Sequence, residues 1–209
     1  MRIMLVDDHA VVRAGIRRLL EQDARFLVVA ETASGEQAYQ QYGQYLPDIT
    51  IMDLSMPGMG GMEAISRIIT RYPQAKLLVL SMHENVAFAN QALKAGARGY
   101  LAKSGLAEEL VNAIDCVAKG QIYINASIEK KMTQQFLTSQ DDILQQLSAR
   151  EFEVFRMLAE GTDSTLIASK LNISSKTVAN YQTTIKQKLN INNSVEMVRL
   201  AIRCGLIDS

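Results

Sequence analysis

Five short apolar runs mark the first 120 residues, at 3–6, 26–30, 49–52, 77–80 and 99–102, and a longer segment of helical spacing follows each one. Every run has strand length and is rich in β-branched or large aliphatic residues. After the first run, Val12, Ile16, Leu19 and Leu20 recur at i, i+4, i+7 and i+8, the stripe of an amphipathic helix. Further helical segments are expected over 35–45, 62–72, 85–96 and 107–119, with Gly96, Gly105 and Gly120 at helix ends and turns. Two parallel strands cannot be joined by a tight turn, so a helix after every strand implies a parallel sheet covered on both faces. The expected fold class is α/β: a five-stranded, parallel, doubly wound, flavodoxin-like domain over residues 1–120.

The alternation stops near Ile124. Residues 121–146 are richer in Gln, Ser, Thr, Asp and Lys and read as a linker, with a helix possible over 128–137. From 147 to 209 the pattern is purely helical, which predicts a small all-α domain. Ser148 with Glu151 forms a capping box that opens a helix ending near Gly161. Asp163, Ser174 and Asn193 are candidate caps for three more helices. Both domains are expected in the cytoplasm. The first residues, MRIMLVDDH, lack the long apolar stretch of a signal peptide, and no run reaches the roughly 18 apolar residues of a membrane span. Cys116 and Cys204 have no metal-ligand spacing and read as two buried thiols in a reducing compartment.

Asp7 and Asp8 stand where the first strand runs out, Asp53 where the third does, Ser81 at the end of the fourth and Lys103 just after the fifth. In a parallel sheet these ends share one edge, so the five residues should meet in a crevice. Three packed carboxylates persist only if a cation offsets them, and an oxygen-rich site favours Mg²⁺. The set suits phosphoryl transfer. Asp53 can act as a nucleophile, the metal and Lys103 can stabilise charge on the transferring oxygens, and Ser81 can donate a hydrogen bond to the new phosphoryl group. The bland alternative, solvated acids at strand ends, suits any one of these residues better than all five together.

VDDH at 6–9, IMDLSMPGMGG at 51–61, LS at 80–81 and GYLAKS at 99–104 resemble the receiver domains of two-component response regulators. The resemblance implies that Asp53 is the phosphoacceptor, served by a sensor histidine kinase. It implies that Asp7, Asp8, Asp53 and the backbone carbonyl of Ser55 bind Mg²⁺. Ser81 and Tyr100 would be the switch residues and Lys103 the lysine that contacts phosphate. Such a protein accepts a phosphoryl group and at most dephosphorylates itself slowly; it is not a metabolic enzyme. Gly60 departs from the family, which often has Asp there, and this should loosen the loop without touching the pocket chemistry. His9 and His83 have no metal-ligand partners in register and read as loop or helix-start residues, although His83 could tune hydrolysis of the acyl phosphate.

With 22 basic and 22 acidic residues, the chain cannot carry a uniformly basic coat. The stretch from Ser164 to Val195 nevertheless contains no acid and four lysines, at 170, 176, 186 and 188. That local charge suits a surface facing phosphate. A helix through Leu171, a short turn and a second helix from Ser175 make a helix-turn-helix. On the second helix Val178, Tyr181, Ile185 and Leu189 would face the bundle. Candidate DNA contacts are Lys170, Ser175, Lys176, Thr177, Asn180, Thr183, Thr184, Lys186 and Gln187. LSAREFEVFRMLAEG, IASKLNISSKTVANY and IKQKLNI resemble the LuxR-type domain of the NarL/FixJ response regulators, and the KTVxxY form resembles the GacA/UvrY-like global-regulator branch. Leu166 stands where that family often has Glu, so a capping interaction should be lost. The resemblance implies a phosphorylation-dependent transcription regulator that binds duplex DNA, as a homodimer when phosphorylated, by release of the recognition helix.

Two other classes fit parts of the pattern. A hydrolase of the haloacid dehalogenase type also uses an Asp nucleophile, Mg²⁺ and a Lys, but its nucleophile lies in a DxD motif after the first strand. A receiver whose helical domain binds RNA or protein would lack salt-dependent affinity for duplex DNA.

Overall fold

The computed structural model describes residues 1–137 and 143–207. The strands are β1 (Arg2–Val6), β2 (Leu27–Thr32), β3 (Ile49–Asp53), β4 (Leu77–Ser81), β5 (Gly99–Ala102) and β6 (Tyr123–Ile124). Helices α1 (Ala10–Leu20), α2 (Gly35–Tyr45), α3 (Gly60–Arg71), α4 (Val86–Lys94) and α5 (Leu106–Ala118) cross between the first five strands and out of the fifth. All six strands run parallel in the order β2-β1-β3-β4-β5-β6. The expected five-stranded sheet therefore gains a sixth strand. It is two residues long, too short for any periodic signal, and it exists because Gly99 and Tyr100 offer it a free edge.

Alternation along each strand separates two cores. Ile3, Leu5, Ile49, Ile51, Leu78, Leu80 and Leu101 pack on one face with Ile16 and Leu20 of α1 and Leu110, Ala113, Ile114 and Val117 of α5. Met4, Val6, Met52, Leu77, Val79 and Tyr100 point to the other face, against α2, α3 and α4.

The stretch read as a linker contains β6, helix α6 (Ala126–Leu137) and a short 3₁₀ turn at Ile143–Gln146. Four helices follow: α7 (Ala149–Ala159), α8 (Ser164–Lys170), α9 (Ser175–Leu189) and α10 (Ser194–Arg203). Each starts at the residue chemistry expected. Asp163 accepts from the Thr165 amide, Ser174 from Thr177 and Asn193 from Glu196. Asp163 thus caps α8 although Leu166 is exposed and no Glu stands there. The core on the α2–α3–α4 face continues into this half. Phe88 of α4 meets Phe152 of α7 edge to face at 5.3 Å. Gln91 donates to the Leu144 carbonyl, and Lys94 to the Leu147 carbonyl at 2.7 Å. Neither Cys116 nor Cys204 is in a disulfide, and both are half-buried rather than fully buried. Among the described residues no helix is long and apolar enough to cross a membrane.

The capping box at Ser148 carries more than a cap. Glu151 accepts from the Ser148 amide at 2.7 Å and from the Lys188 ammonium of α9 at 2.6 Å. Burial alone would raise this carboxyl, but Lys188 and Ser148 outweigh it and hold it below its ordinary value. A depressed carboxyl contributes stability above its unfolded pKa, near 4.5, and loses it as the pH falls through the lower folded value. Glu151→Gln should cost roughly 1–3 kcal/mol at neutral pH. It should also flatten the fall in stability below about pH 4.5. Denaturant unfolding across that range checks both, and parallel acid limbs for the two proteins would show that Glu151 carries none of it.

Candidate functional site

Because β1, β3, β4 and β5 are adjacent and parallel, their carboxyl ends converge. Asp7 follows β1, Asp53 and Ser81 close β3 and β4, and Lys103 opens the turn after β5. Asp7, Asp53 and Ser81 are buried. The Lys103 ammonium lies 2.8 Å from Asp7 Oδ2 and 3.1 Å from Asp53 Oδ1. Asp7 Oδ1 accepts from the His9 amide at 2.7 Å, so both of its oxygens are fixed. Neither oxygen of Asp53 has a well-formed hydrogen bond, and Asp8 Oδ1 also lacks one. Ligand-capable atoms of Asp7, Asp8, His9 and Asp53 all lie within 4.8 Å of one another. The side chains of Asp7, Asp8, Asp53, Ser81 and Lys103 thus gather at one sheet edge. Ser55 sits two residues past Asp53, exposed in the turn toward α3.

Three carboxylates here face one ammonium. Burial pushes the Asp53 carboxyl up, and Asp7 adds to that rise while Lys103 opposes it. Burial alone would lower Lys103, yet Asp7 and Asp53 together raise it. The negative charge left over and the clustered carboxylate oxygens of Asp7, Asp8 and Asp53 are the donor set of a hard divalent cation. His9 is the residue the sequence did not put in the pocket: its Nδ1 lies 3.0 Å from Asp8 Oδ1 and 3.3 Å from Asp7 Oδ1. No sequence signal distinguishes such a histidine from an ordinary helix start, because the placement depends on how the loop turns. Gly61 is required by close approach, since a Cβ there would run into the Asp53 carbonyl and the Leu54 Cα.

Ser81 Oγ accepts from the His83 amide at 3.1 Å, and the Tyr100 hydroxyl donates to the His83 carbonyl at 2.8 Å. Tyr100 is fully buried. His83 is half-buried and stacked on Phe88 with ring centroids 4.0 Å apart.

The second candidate surface is α9. Val178, Ile185 and Leu189 are buried, and Tyr181 packs half-buried against them. Lys176, Asn180, Thr183 and Gln187, spaced four, three and four residues apart, are all exposed. Ser175 is exposed, while Thr184 and Lys186 are half-buried at the edges of that face. Thr177 is bound into the cap, with its hydroxyl 2.8 Å from Ser174 Oγ. The hydroxyls of Thr183 and Thr184 donate back to the carbonyls of Ala179 and Asn180. Lys170 ends α8 with an exposed side chain, and its carbonyl accepts from the Gly58 amide of the α/β half. Of the four lysines in the acid-free stretch, Lys188 is paired to Glu151, so the outward charge is smaller than the sequence count. The outer face of α9 is not covered by the α/β half, so release of a hidden recognition helix does not describe this arrangement.

Two family descriptions match the chain: the response regulator receiver domain over residues 3–115 and the bacterial regulatory proteins of the luxR family over 145–201. The chain is similar to the transcriptional activator protein ExaE of Pseudomonas putida, at 41% identity covering 99% of this chain and 98% of that one. It is similar to the response regulator UvrY of Escherichia coli (strain K12), at 37% identity covering 100% and 97%. Among solved structures it resembles RcsB of Salmonella enterica serovar Typhimurium bound to promoter rprA in the presence of the phosphomimetic BeF3⁻. There the TM-score is 0.70 at 30% identity, covering 95% of this chain and 96% of that one. With a receiver fold carrying the acidic pocket and a helix-turn-helix half behind it, the chain belongs to the NarL/FixJ-type response regulators, UvrY-like members included, and is a DNA-binding transcription regulator.

Proposed function

We propose that Asp53 accepts a phosphoryl group from a sensor histidine kinase and that this modification controls how α9 engages promoter DNA. The observation that carries the reading is the buried Asp53 carboxylate, with no well-formed hydrogen bond on either oxygen, beside Lys103 and next to two more acids. An Asp53 oxygen attacks phosphorus, a P–O bond forms, and the P–N bond to the donor imidazole breaks. Asp7, Asp8 and Asp53 with the Ser55 carbonyl would hold Mg²⁺, which when bound offsets charge on the phosphoryl oxygens. Lys103 meets one of those oxygens, and Ser81 turns its hydroxyl to another. Tyr100 holds the loop after β4 through the His83 carbonyl, so a shift of Ser81 is passed to that loop. Slow loss of the acyl phosphate is the only turnover in this scheme; the protein is a regulator in the cytoplasm, not a metabolic enzyme.

On the DNA side, Lys176, Asn180, Thr183 and Gln187 face the major groove, with Ser175, Thr177, Thr184, Lys186 and Lys170 along the phosphates. Phosphorylated chains pair as homodimers, setting two copies of α9 on half-sites about one helical turn apart. Residues 1–120 act as the receiver and 147–209 as the DNA-binding unit, joined by 121–146. The solved relative on promoter DNA with a phosphomimetic supports both halves of this reading.

Asp53→Asn should abolish labelling by acetyl phosphate in the presence of Mg²⁺, read by intact mass, while Asp8→Asn should weaken it by lowering metal affinity. Full labelling of Asp53→Asn would place the acceptor elsewhere.

In the full chain, Lys176→Ala should weaken binding to all duplex sequences alike and reduce the salt slope of log affinity by about 1. A slope identical to that of the parent protein would remove Lys176 from the phosphate contacts.

A further inference from the structure

The loop that leaves Asp53 touches the DNA-binding half. Arg150 of α7 donates to the Gly58 carbonyl at 2.9 Å and to the Met59 carbonyl at 3.3 Å, and it also reaches the Leu171 carbonyl at the end of α8. The Gly58 amide donates to the Lys170 carbonyl at 2.8 Å. Arg150 is held in place by Glu153 at 2.8 Å, and both side chains are about nine-tenths buried. Glu153 occupies the space in front of Gly60. That glycine has φ +68, and a Cβ there would collide with Glu153 Oε1. Gly60 does not loosen the loop: its missing side chain is the seat of the Glu153 carboxyl.

We propose that Arg150 and Glu153 form a latch on the Gly58–Gly60 loop, that Gly60 is what lets it close, and that phosphorylation of Asp53 opens it. The last part rests on the phosphoacceptor reading above; the latch itself does not. The loop between Asp53 and α3 is short, and Gly61 packs against the Asp53 carbonyl, so a change around the Asp53 carboxylate moves the backbone that Arg150 grips. The latch is poised because its parts are desolvated. Burial pushes the Glu153 carboxyl up to about 7, with Arg150 and Arg156 drawing it down and Glu63 of α3 adding to the rise. Since the outer face of α9 is exposed while the latch is closed, the latch does not mask the recognition helix. It fixes the direction in which α9 points from the receiver, and opening it lets two copies adopt the spacing of a paired DNA site.

The test follows hydrogen exchange at the Gly58 amide by NMR in the full chain, together with the relative tumbling of the two halves. Gly60→Asp seats a side chain against Glu153 and uses a residue type that tolerates positive φ. Arg150→Met removes the clamp without touching the loop. Both should speed exchange at Gly58 by on the order of tenfold or more and uncouple the tumbling. Adding Glu153→Ala to Gly60→Asp empties the seat and offers Arg150 a new carboxylate, so protection should return. Beryllofluoride with Mg²⁺ should speed exchange at Gly58 in the parent protein. Unchanged protection in both Gly60→Asp and Arg150→Met, or no recovery in the double variant, would overturn the latch. A closed latch in protein that does carry the phosphoryl mimic would overturn its control by Asp53. Failure of Asp53 to label is a separate result that rejects the phosphoacceptor reading, and the three variants decide the latch without it.

Discussion

Repulsion among carboxylates that the sheet cannot separate is the constraint on which the receiver half depends. Strands β1 and β3 are neighbours and parallel, so the residues after Val6 and at Asp53 emerge at the same edge whatever their charge. One ammonium, Lys103, arrives from β5 to stand between Asp7 and Asp53. The geometry around them leaves little freedom. Asp7 is tied by the His9 amide, its carbonyl by Arg13, and the first turn of α3 is pressed against Asp53 by Gly61. A site so short of positive charge and so rigid responds strongly to any ion or phosphoryl group that enters it.

Much of this was legible because the signals are local. Alternation of apolar runs and helical stripes located five strands, and α2 spans residues 35–45 as its pattern predicts. Ser148, Asp163, Ser174 and Asn193 declare themselves as caps by chemistry that acts over three residues. The pocket was legible for a topological reason: parallel strands send their ends to one edge, so Asp7, Asp53, Ser81 and Lys103 could be joined before any contact was seen. What escaped depends on long-range packing. Strand β6 is stabilised by its partner rather than by its own two residues. Lys188 counts toward a basic surface until Glu151, 37 positions earlier, is found beside it. Gly60 reads as slack in a loop until Glu153 fills the gap.

The two faces of the sheet have unequal fates. On the α1–α5 side the apolar residues close on themselves. On the other side, the core runs on through Phe88 and Phe152 into the helical half. A disturbance among α3, α4 and the loops above them is therefore felt by both halves, while one near α1 and α5 stays within the receiver. His83 and Phe88 stand at this junction, one of them two residues from Ser81 and stacked on the other.

The short chain between α6 and α7 has a kinetic consequence. Helix α6 ends at Leu137 and α7 begins at Ala149, so residues 138–148 alone connect them. Fully extended, that segment reaches at most about 40 Å. An undocked helical half therefore stays in a small volume around its docking face, at an effective concentration on the order of millimolar. Re-docking is a unimolecular event, its rate independent of how much protein the cell contains, while the proposed pairing of two chains on DNA depends on that amount. Under that proposal, raising the protein's abundance tilts the competition toward the paired form even when the signal is constant, which makes expression level a second input.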